Sequence, residues 1–321
     1  MKILGFLVLV FMLAVVTAPV SAQQAPDDEI ANAPVHPSLA AINDYLLASG
    51  VANAQVTSVA LMVDRNYPAN HPILYVADRT LRLNSQFVAN DPRRDEVGLF
   101  WTFDTRRSTP RTLLNGVPGI LASADTVQQT RLSVERWVEL PCYSAEFGEL
   151  PYPVAPGYEN IEWVDDFYLG REPQPFRPVA EITVGGFLPA SSFRQIFAHG
   201  DNVLGVAYQF TFIDPITRQP TDIDHNRKLD TFWTEIYFND LHYWGDVAAP
   251  GIDSNQVIDL QTVALHEAGH AFGLGHFGRT FENHGVFNVA GYNIMSQFYL
   301  PNRSLFGTPT GTFCGIYGSW Q

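Results

Sequence analysis

Apolar residues recur along the chain with two different periods, and the changes of period mark out the elements. LAAINDYLLASG (39–50) repeats every three to four positions and predicts a short helix. VTSVALMVD (56–64) and ILYVAD (73–78) are runs rich in β-branched residues and read as strands. VGLFWTFDT (97–105) is a further strand, followed by a long helical pattern, ADTVQQTRLSVERWVEL (124–140). In that helix Asp125 is the expected N-cap, with Gln128 three positions on, and Val127, Val134 and Val138 face inward. A short strand is expected around Tyr143–Phe147, and longer ones at AEITVGGF (180–187), VLGVAYQFTFID (203–214) and TEIYFND (234–240). A last helix starts near Asp259, in which Ala264, Ala268 and Ala271 permit close packing on one side. The sum is a twisted sheet with two main helices, an α+β arrangement.

The first 22 residues change the picture of where the chain goes. MKILGFLVLVFMLAVVTAPVSA has one basic residue, an apolar run from Ile3 to Val16 and small residues at Val20-Ser21-Ala22. This reads as a signal peptide cut after Ala22, because the run is short for a membrane span. No later segment is apolar enough to cross a bilayer, so the expectation is a secreted chain with no stable membrane insertion. A formal charge of -14 disfavours nucleic acid and anionic membrane surfaces as partners. Residues 23–34 are polar, with Ala and Pro, and are expected to be disordered. Residues 23–96 read as a propeptide or an accessory region, two readings that stay open, with NDPRRDE (90–96) as a linker to the domain at 97–321.

HEAGHAFGLGH (266–276) concentrates three histidines and a glutamate in eleven positions. Residues four apart on a helix share a face, so His266 and His270 reach one ion. Glu267 is offset round the helix and is placed to hold a water rather than the ion. Gly273 tolerates the left-handed conformation that ends a helix, and His276 returns three residues later. Three neutral imidazoles with a fourth position open describe a catalytic zinc site, with Glu267 as general base.

The run VALHEAGHAFGLGH resembles the signature of the metzincin zinc peptidases, and within them most resembles the matrixins, the matrix metalloproteinase group. The resemblance covers roughly 97–300. It implies a twisted, mostly parallel sheet, a zinc-bearing active-site helix and a Met-turn, for which Met295 in Asn293–Met295 is the match. Gln297 stands where astacin-like and serralysin-like relatives carry tyrosine, which favours the matrixin branch. The implied activity is endopeptidase cleavage of protein or peptide substrates. The strand near Glu235–Asn239 is the expected edge on which an extended substrate pairs, and SQFYLPNRSLFG (296–307) is the expected wall of the specificity pocket.

Two further features are read beside this. In DIDHNRKLD (222–230) Asp222, Asp224, Asn226 and Asp230 are spaced like the start of a calcium loop, although Arg227 stands where an EF-hand needs glycine. The corresponding matrixin loop holds structural metals, which favours Ca2+ over a solvated polar turn. Cys142 and Cys314, an even pair in an exported chain, are expected to form a disulfide. LPCYSAEFG (140–148) does not match the propeptide cysteine motif with which some matrixins block their zinc. His199, His242 and His284 read as ordinary histidines. The competing functions are a secreted binding or adhesion protein on an inactive protease scaffold, and a hydrolase of non-peptide amides.

Overall fold

The computed structural model describes residues 37–320 apart from 68–80, 95–97, 111–112, 115–116, 119–122, 153–162, 175–177, 198, 251, 253–254 and 284–285. The expected signal peptide, the 23–34 stretch, the ILYVAD strand and His284 lie outside the described residues. Among those described, no helix is long and apolar enough to cross a membrane.

Helix α1 (Pro37–Ala48) leads into strand β1 (Ala54–Val63), and β2 (Ser85–Gln86) and β3 (Leu99–Phe103) follow. A hairpin, β4 (Leu113–Leu114) with β5 (Val117–Pro118), precedes helix α2 (Ser123–Val138) and strand β6 (Phe147–Glu149). Next come α3 (Val164–Tyr168), β7 (Ile182–Leu188), α4 (Ala190–Ile196), β8 (Val203–Phe212) and β9 (Leu229–Asn239). The short parallel pair β10 (Trp244–Gly245) and β11 (Ile258–Asp259) opens helix α5 (Leu260–Ala271). A hairpin, β12 (Arg279–Asn283) with β13 (Val286–Ala290), and helix α6 (Thr308–Tyr317) complete the chain. The arrangement is mixed α and β, as the pattern predicts, around a mostly parallel sheet.

The central sheet runs β1-β8-β9-β7-β3-β6, with β2 added beside the start of β9. Pairings of β9 with β7, β7 with β3 and β3 with β6 are parallel, while β8 is antiparallel to both β9 and β1. Successive side chains of a strand point to opposite faces. Ile236 and Phe238 accordingly join the apolar cluster beneath α2, α5 and α6, while Trp233 and Tyr237 join the one with α1, α3 and α4.

One expectation is corrected by this topology. The strand containing Glu235–Asn239 is not an edge: β9 is paired along both sides, by β8 and β7. Its residues are nearly all buried because it is central. Residues 34–321 form one compact unit. The physical reason is that β1 hydrogen-bonds along its length to β8. Within NDPRRDE, Arg93 and Arg94 are held by the rest of the unit. The Arg93 guanidinium meets Asp230 at 2.7 Å, and buried Arg94 donates to the carbonyls of Gly98 (3.0 Å) and Val88 (2.9 Å).

Helix α2 begins at Ser123, so Asp125 lies in its first turn rather than before it. Val134 and Trp137 are fully buried, and the Trp137 indole N–H donates to the Leu265 carbonyl at 2.9 Å. The Ser133 hydroxyl reaches the Gln261 carbonyl at 3.0 Å, a second tie from α2 to α5. Cys142 and Cys314 are joined by a disulfide with Cα atoms 5.5 Å apart, fastening the segment after α2 to α6.

Glu235 faces away from α5 and is fully buried. It accepts from the backbone N–H groups of Trp163 (2.9 Å) and Val164 (3.1 Å), the Trp233 indole (3.1 Å) and the Tyr237 hydroxyl (2.8 Å). Burial nevertheless pushes its carboxyl up to about 7, from 4.5. Between these values the folded chain keeps a proton that the unfolded chain has released. The Glu235 contribution to stability therefore falls as pH rises through that window and is level above it. Denaturant midpoints at pH 5 and pH 8 should thus fall less for Glu235→Gln than for the unaltered chain. Parallel pH profiles for the two proteins would contradict this assignment.

Candidate metal centre

Helix α5 is enclosed on every side; all twelve of its residues, the polar ones included, are buried. Its start is fixed by Asp259, whose carboxylate accepts from the Thr262 N–H at 3.1 Å. Arg303 holds that same carboxylate through its Nε at 2.8 Å and reaches Asp246 at 2.6 Å. The helix ends on Gly273, at φ 85°, where the N–H of Leu274 returns to the Gly269 carbonyl at 2.9 Å. A side chain would be strained at that φ. The turn sends the chain back so that His276 faces the helix it has just left.

The three imidazoles converge. Nε2 of His270 lies 2.9 Å from Nε2 of His266 and 3.1 Å from that of His276, and the remaining separation is 3.2 Å. Backbone carbonyls fix two of the rings from behind. Nδ1 of His266 donates to Ile294 O and Nδ1 of His270 to Leu274 O, each at 2.7 Å. With the proton committed to Nδ1, Nε2 carries a lone pair, so lone pairs are aimed at one point. Burial pushes His266 down to about 4. Burial and then the neighbouring imidazoles push His270 and His276 well below the ordinary histidine value. All three are therefore neutral, the state in which imidazole binds a metal.

This donor set fits zinc. Nitrogens at 2.0–2.1 Å around a tetrahedral ion stand about 3.3 Å apart, close to the separations found here. Lone pairs facing one another in a dry pocket repel, and a cation among them removes the repulsion. His276 is held in place from both neighbours: Gly275 N–H donates to Leu81 O at 2.7 Å and Phe277 N–H to Met295 O at 2.9 Å.

Met295 lies in a tight turn closed by Ser296 N–H to Asn293 O at 3.0 Å, with its own N–H on Asn293 Oδ1 at 2.8 Å. Its side chain is buried against α5 at Gly269, where any added carbon would overlap the Met295 sulfur and the Trp137 ring. Ile294 of the same turn is the carbonyl partner of His266. The turn thus supports the first histidine and floors the helix.

Glu267 is fully buried, and burial pushes its carboxyl well above the ordinary range. Oε1 accepts from the Met62 N–H at 2.9 Å, while Oε2 has no hydrogen-bond partner. Met62, on β1, was not legible as a site residue, because nothing local in VTSVALMVD marks a contact more than 200 positions away. Gln209 is a second such residue: it donates to the His270 carbonyl at 2.5 Å and accepts from Ser58 and Ser85.

The acidic loop gathers less completely. One carboxylate oxygen each of Asp222, Asp224 and Asp230 lie within 4.8 Å of one another, a grouping able to hold a cation. Asp230 already faces Arg93 and accepts from the Thr221 hydroxyl at 2.6 Å. Asn226 is turned to the loop itself, its amide donating to Asp224 at 2.8 Å and its oxygen accepting from Lys228 N–H at 2.7 Å. The electrostatic signature of mutual repulsion is present, since burial and then Asp222 raise Asp224 above the ordinary carboxylate value. His242 bonds the Val203 carbonyl at 3.2 Å, away from the imidazole trio. Compared with protein-family models and with characterised proteins, the chain matches none.

Proposed function

We propose that the protein is a secreted zinc-dependent metalloendopeptidase of matrixin type, acting on protein or peptide substrates. The observation that carries the reading is the meeting of three neutral imidazole nitrogens within 3.2 Å, beside a buried glutamate with one unbonded oxygen. The chemistry supplied by zinc held on His266, His270 and His276 is Lewis acidity, giving a water with a pKa near about 7 and a polarised carbonyl. Glu267 takes the proton of the attacking water and delivers it to the leaving amine nitrogen. Its environment suits a proton shuttle, because burial raises its proton affinity and Oε1 already contacts a backbone amide nitrogen. The carbonyls of Ile294 and Leu274 hold the first two imidazoles in the donor tautomer throughout. The Met295 turn beneath α5 supports the metzincin reading, and Gln297 favours its matrixin branch.

Calcium is the cation we assign to Asp222, Asp224 and Asp230, as hard carboxylate oxygens suit it. Arg93 carries part of the neutralisation at Asp230, and Asn226 belongs to the loop's internal bonding rather than to the ligand set.

Glu267→Gln should keep one zinc per chain and lose at least about 100-fold in casein hydrolysis, the low end for loss of a general base. Near-normal turnover with zinc retained would remove Glu267 from the mechanism. His270→Ala should lose metal and activity together.

For the acidic loop, calcium at a hundred times its dissociation constant should stabilise the fold by about 2.7 kcal/mol. Asp222→Asn with Asp224→Asn should abolish that response without removing zinc. A melting temperature indifferent to calcium in the unaltered chain would show that the loop is only a polar turn.

A further inference from the structure

His270 sits in the last turn of α5, where main-chain carbonyls lack the usual partner within the helix. Its carbonyl accepts from Gly273 N–H at 2.8 Å as the turn closes, and from the side-chain amide of Gln209 at 2.5 Å. Gln209 stands on β8, a strand paired on both sides, and is fully buried. Its amide oxygen accepts from the hydroxyl of Ser58, directly across on β1 at 3.3 Å, and from that of Ser85 on β2. With the oxygen taken by two hydroxyls, the amide nitrogen is committed to the helix. Ala207, two residues earlier on the same face of β8, is apolar and joins the cluster beneath α5. The polar side chain stands where a helix carbonyl is open.

Ser85 belongs to a segment that grips the same turn from another side. Leu83 N–H donates to Gly273 O at 2.8 Å, Gly275 N–H donates to Leu81 O at 2.7 Å, and Arg82 pairs antiparallel with Leu274. The segment is itself anchored on β9, with Ser85 beside Leu229 and the buried Lys228 ammonium donating to Leu83 O at 2.9 Å. A closed circuit results. It runs from Gln209 to Ser85, along the chain to Leu83, across to Gly273, and back through His270 to Gln209. Gly273 leaves little slack in it, since a Cβ there would stand 3.1 Å from Ser85 O. Leu274, in the same turn, supplies the carbonyl that fixes the His270 ring at Nδ1, and His276 follows two residues on. His270 is thus held twice, at its main chain by Gln209 and at its ring by Leu274.

We propose that Gln209 is a positioning residue of the metal centre. Its amide fixes the main chain of His270 against the Leu81–Gln86 segment, and so aims the second imidazole at the point it shares with His266 and His276. The inference rests on the zinc reading above, and Gln209 acts on the ion only through His270. A carbonyl left open in a dry interior is costly, and the helix end would relieve that cost by moving toward another donor. Nε2 of His270 would move with it, because the ring is bonded to the same turn. Losing a partner that orients a metal-binding imidazole weakens metal binding by about 10–100-fold. The effect on catalysis falls on the chemical step, so kcat drops while KM holds.

The test compares three variants of the full chain. Gln209→Met keeps the length of the side chain and removes all of its hydrogen bonds, whereas Ser85→Ala removes one hydroxyl and leaves the amide. Tyr208→Phe is the control, removing a buried hydroxyl from the opposite face of β8. Zinc affinity is read by competition with a chromophoric chelator, ligand geometry by the visible spectrum of the Co2+-loaded chain, and folding by denaturant midpoints. Gln209→Met should weaken zinc binding at least about tenfold, shift the Co2+ bands, and lower kcat on casein with KM unchanged. Tyr208→Phe should lower the midpoint while leaving zinc affinity and the Co2+ bands as they are. Ser85→Ala should weaken zinc binding by less than Gln209→Met. If Gln209→Met does not fold, Ser85→Ala decides, and unchanged zinc affinity in it overturns the inference. Zinc affinity and Co2+ bands that are unchanged in Gln209→Met, or altered equally in Tyr208→Phe, overturn it too and leave the peptidase reading standing. An unaltered chain that takes up no zinc on its histidines overturns both.

Discussion

Imidazole nitrogens whose lone pairs face one another at about 3 Å, away from water, are an unstable arrangement for a protein to hold without a cation. Every neighbouring feature maintains it. The Ile294 and Leu274 carbonyls keep the protons of His266 and His270 on the far side of their rings. Asp259, gripped by Arg303, fixes where α5 begins, and Gly273 fixes where it ends. Trp137 and Ser133 bond the helix backbone from α2, so the ligand-bearing face cannot rotate away. The disulfide and the Tyr317 hydroxyl on Phe272 O tie the C-terminal helix to the same layer. The structure spends its polar side chains on orientation. The cost of burying neutral imidazoles is small beside that of burying charged ones, which is why their depressed proton affinity belongs to the same design.

The sheet encloses that local arrangement. Its parallel half, β9-β7-β3-β6, supplies Leu99, Trp101, Ile182, Val184, Ile236 and Phe238 to the apolar cluster shared with α2, α5 and α6. Its antiparallel half brings β8, and with it β1, alongside α5. Glu235 and Glu267 illustrate the division between the two faces. Both are buried carboxylates with raised proton affinity. Glu235 is surrounded by four donors and serves the packing of α3 against the sheet, whereas Glu267 has one donor and an oxygen left over. Environment, rather than residue type, separates the acid whose oxygens are satisfied from the acid with an oxygen to spare.

The ligand trio was legible because its geometry is local: a helical i, i+4 pair and a glycine turn confine all three imidazoles to one short stretch. The strands β1, β7, β8 and β9 were legible from β-branched runs for the same reason. Strand order was not, since it depends on which runs pair, and β9 takes β8 on one side and β7 on the other. That is why β9 was expected at an edge and lies in the interior. The contacts of Arg93 and Arg94 are hidden on a related ground. Two adjacent arginines in a polar stretch look solvated until their acceptors, Asp230 and the Gly98 and Val88 carbonyls, are brought beside them. The Met62 contact with Glu267 had no signal of any kind in the chain.

The central claim is that three histidine nitrogens, and no other side chains, form the ligand set for one zinc ion. Zinc K-edge X-ray absorption on the Glu267→Gln chain tests it most directly. The account requires three imidazole nitrogens and one oxygen at about 2.0–2.1 Å from a single metal. Six oxygen neighbours, a sulfur ligand, or an imidazole count unchanged in His276→Ala would contradict it.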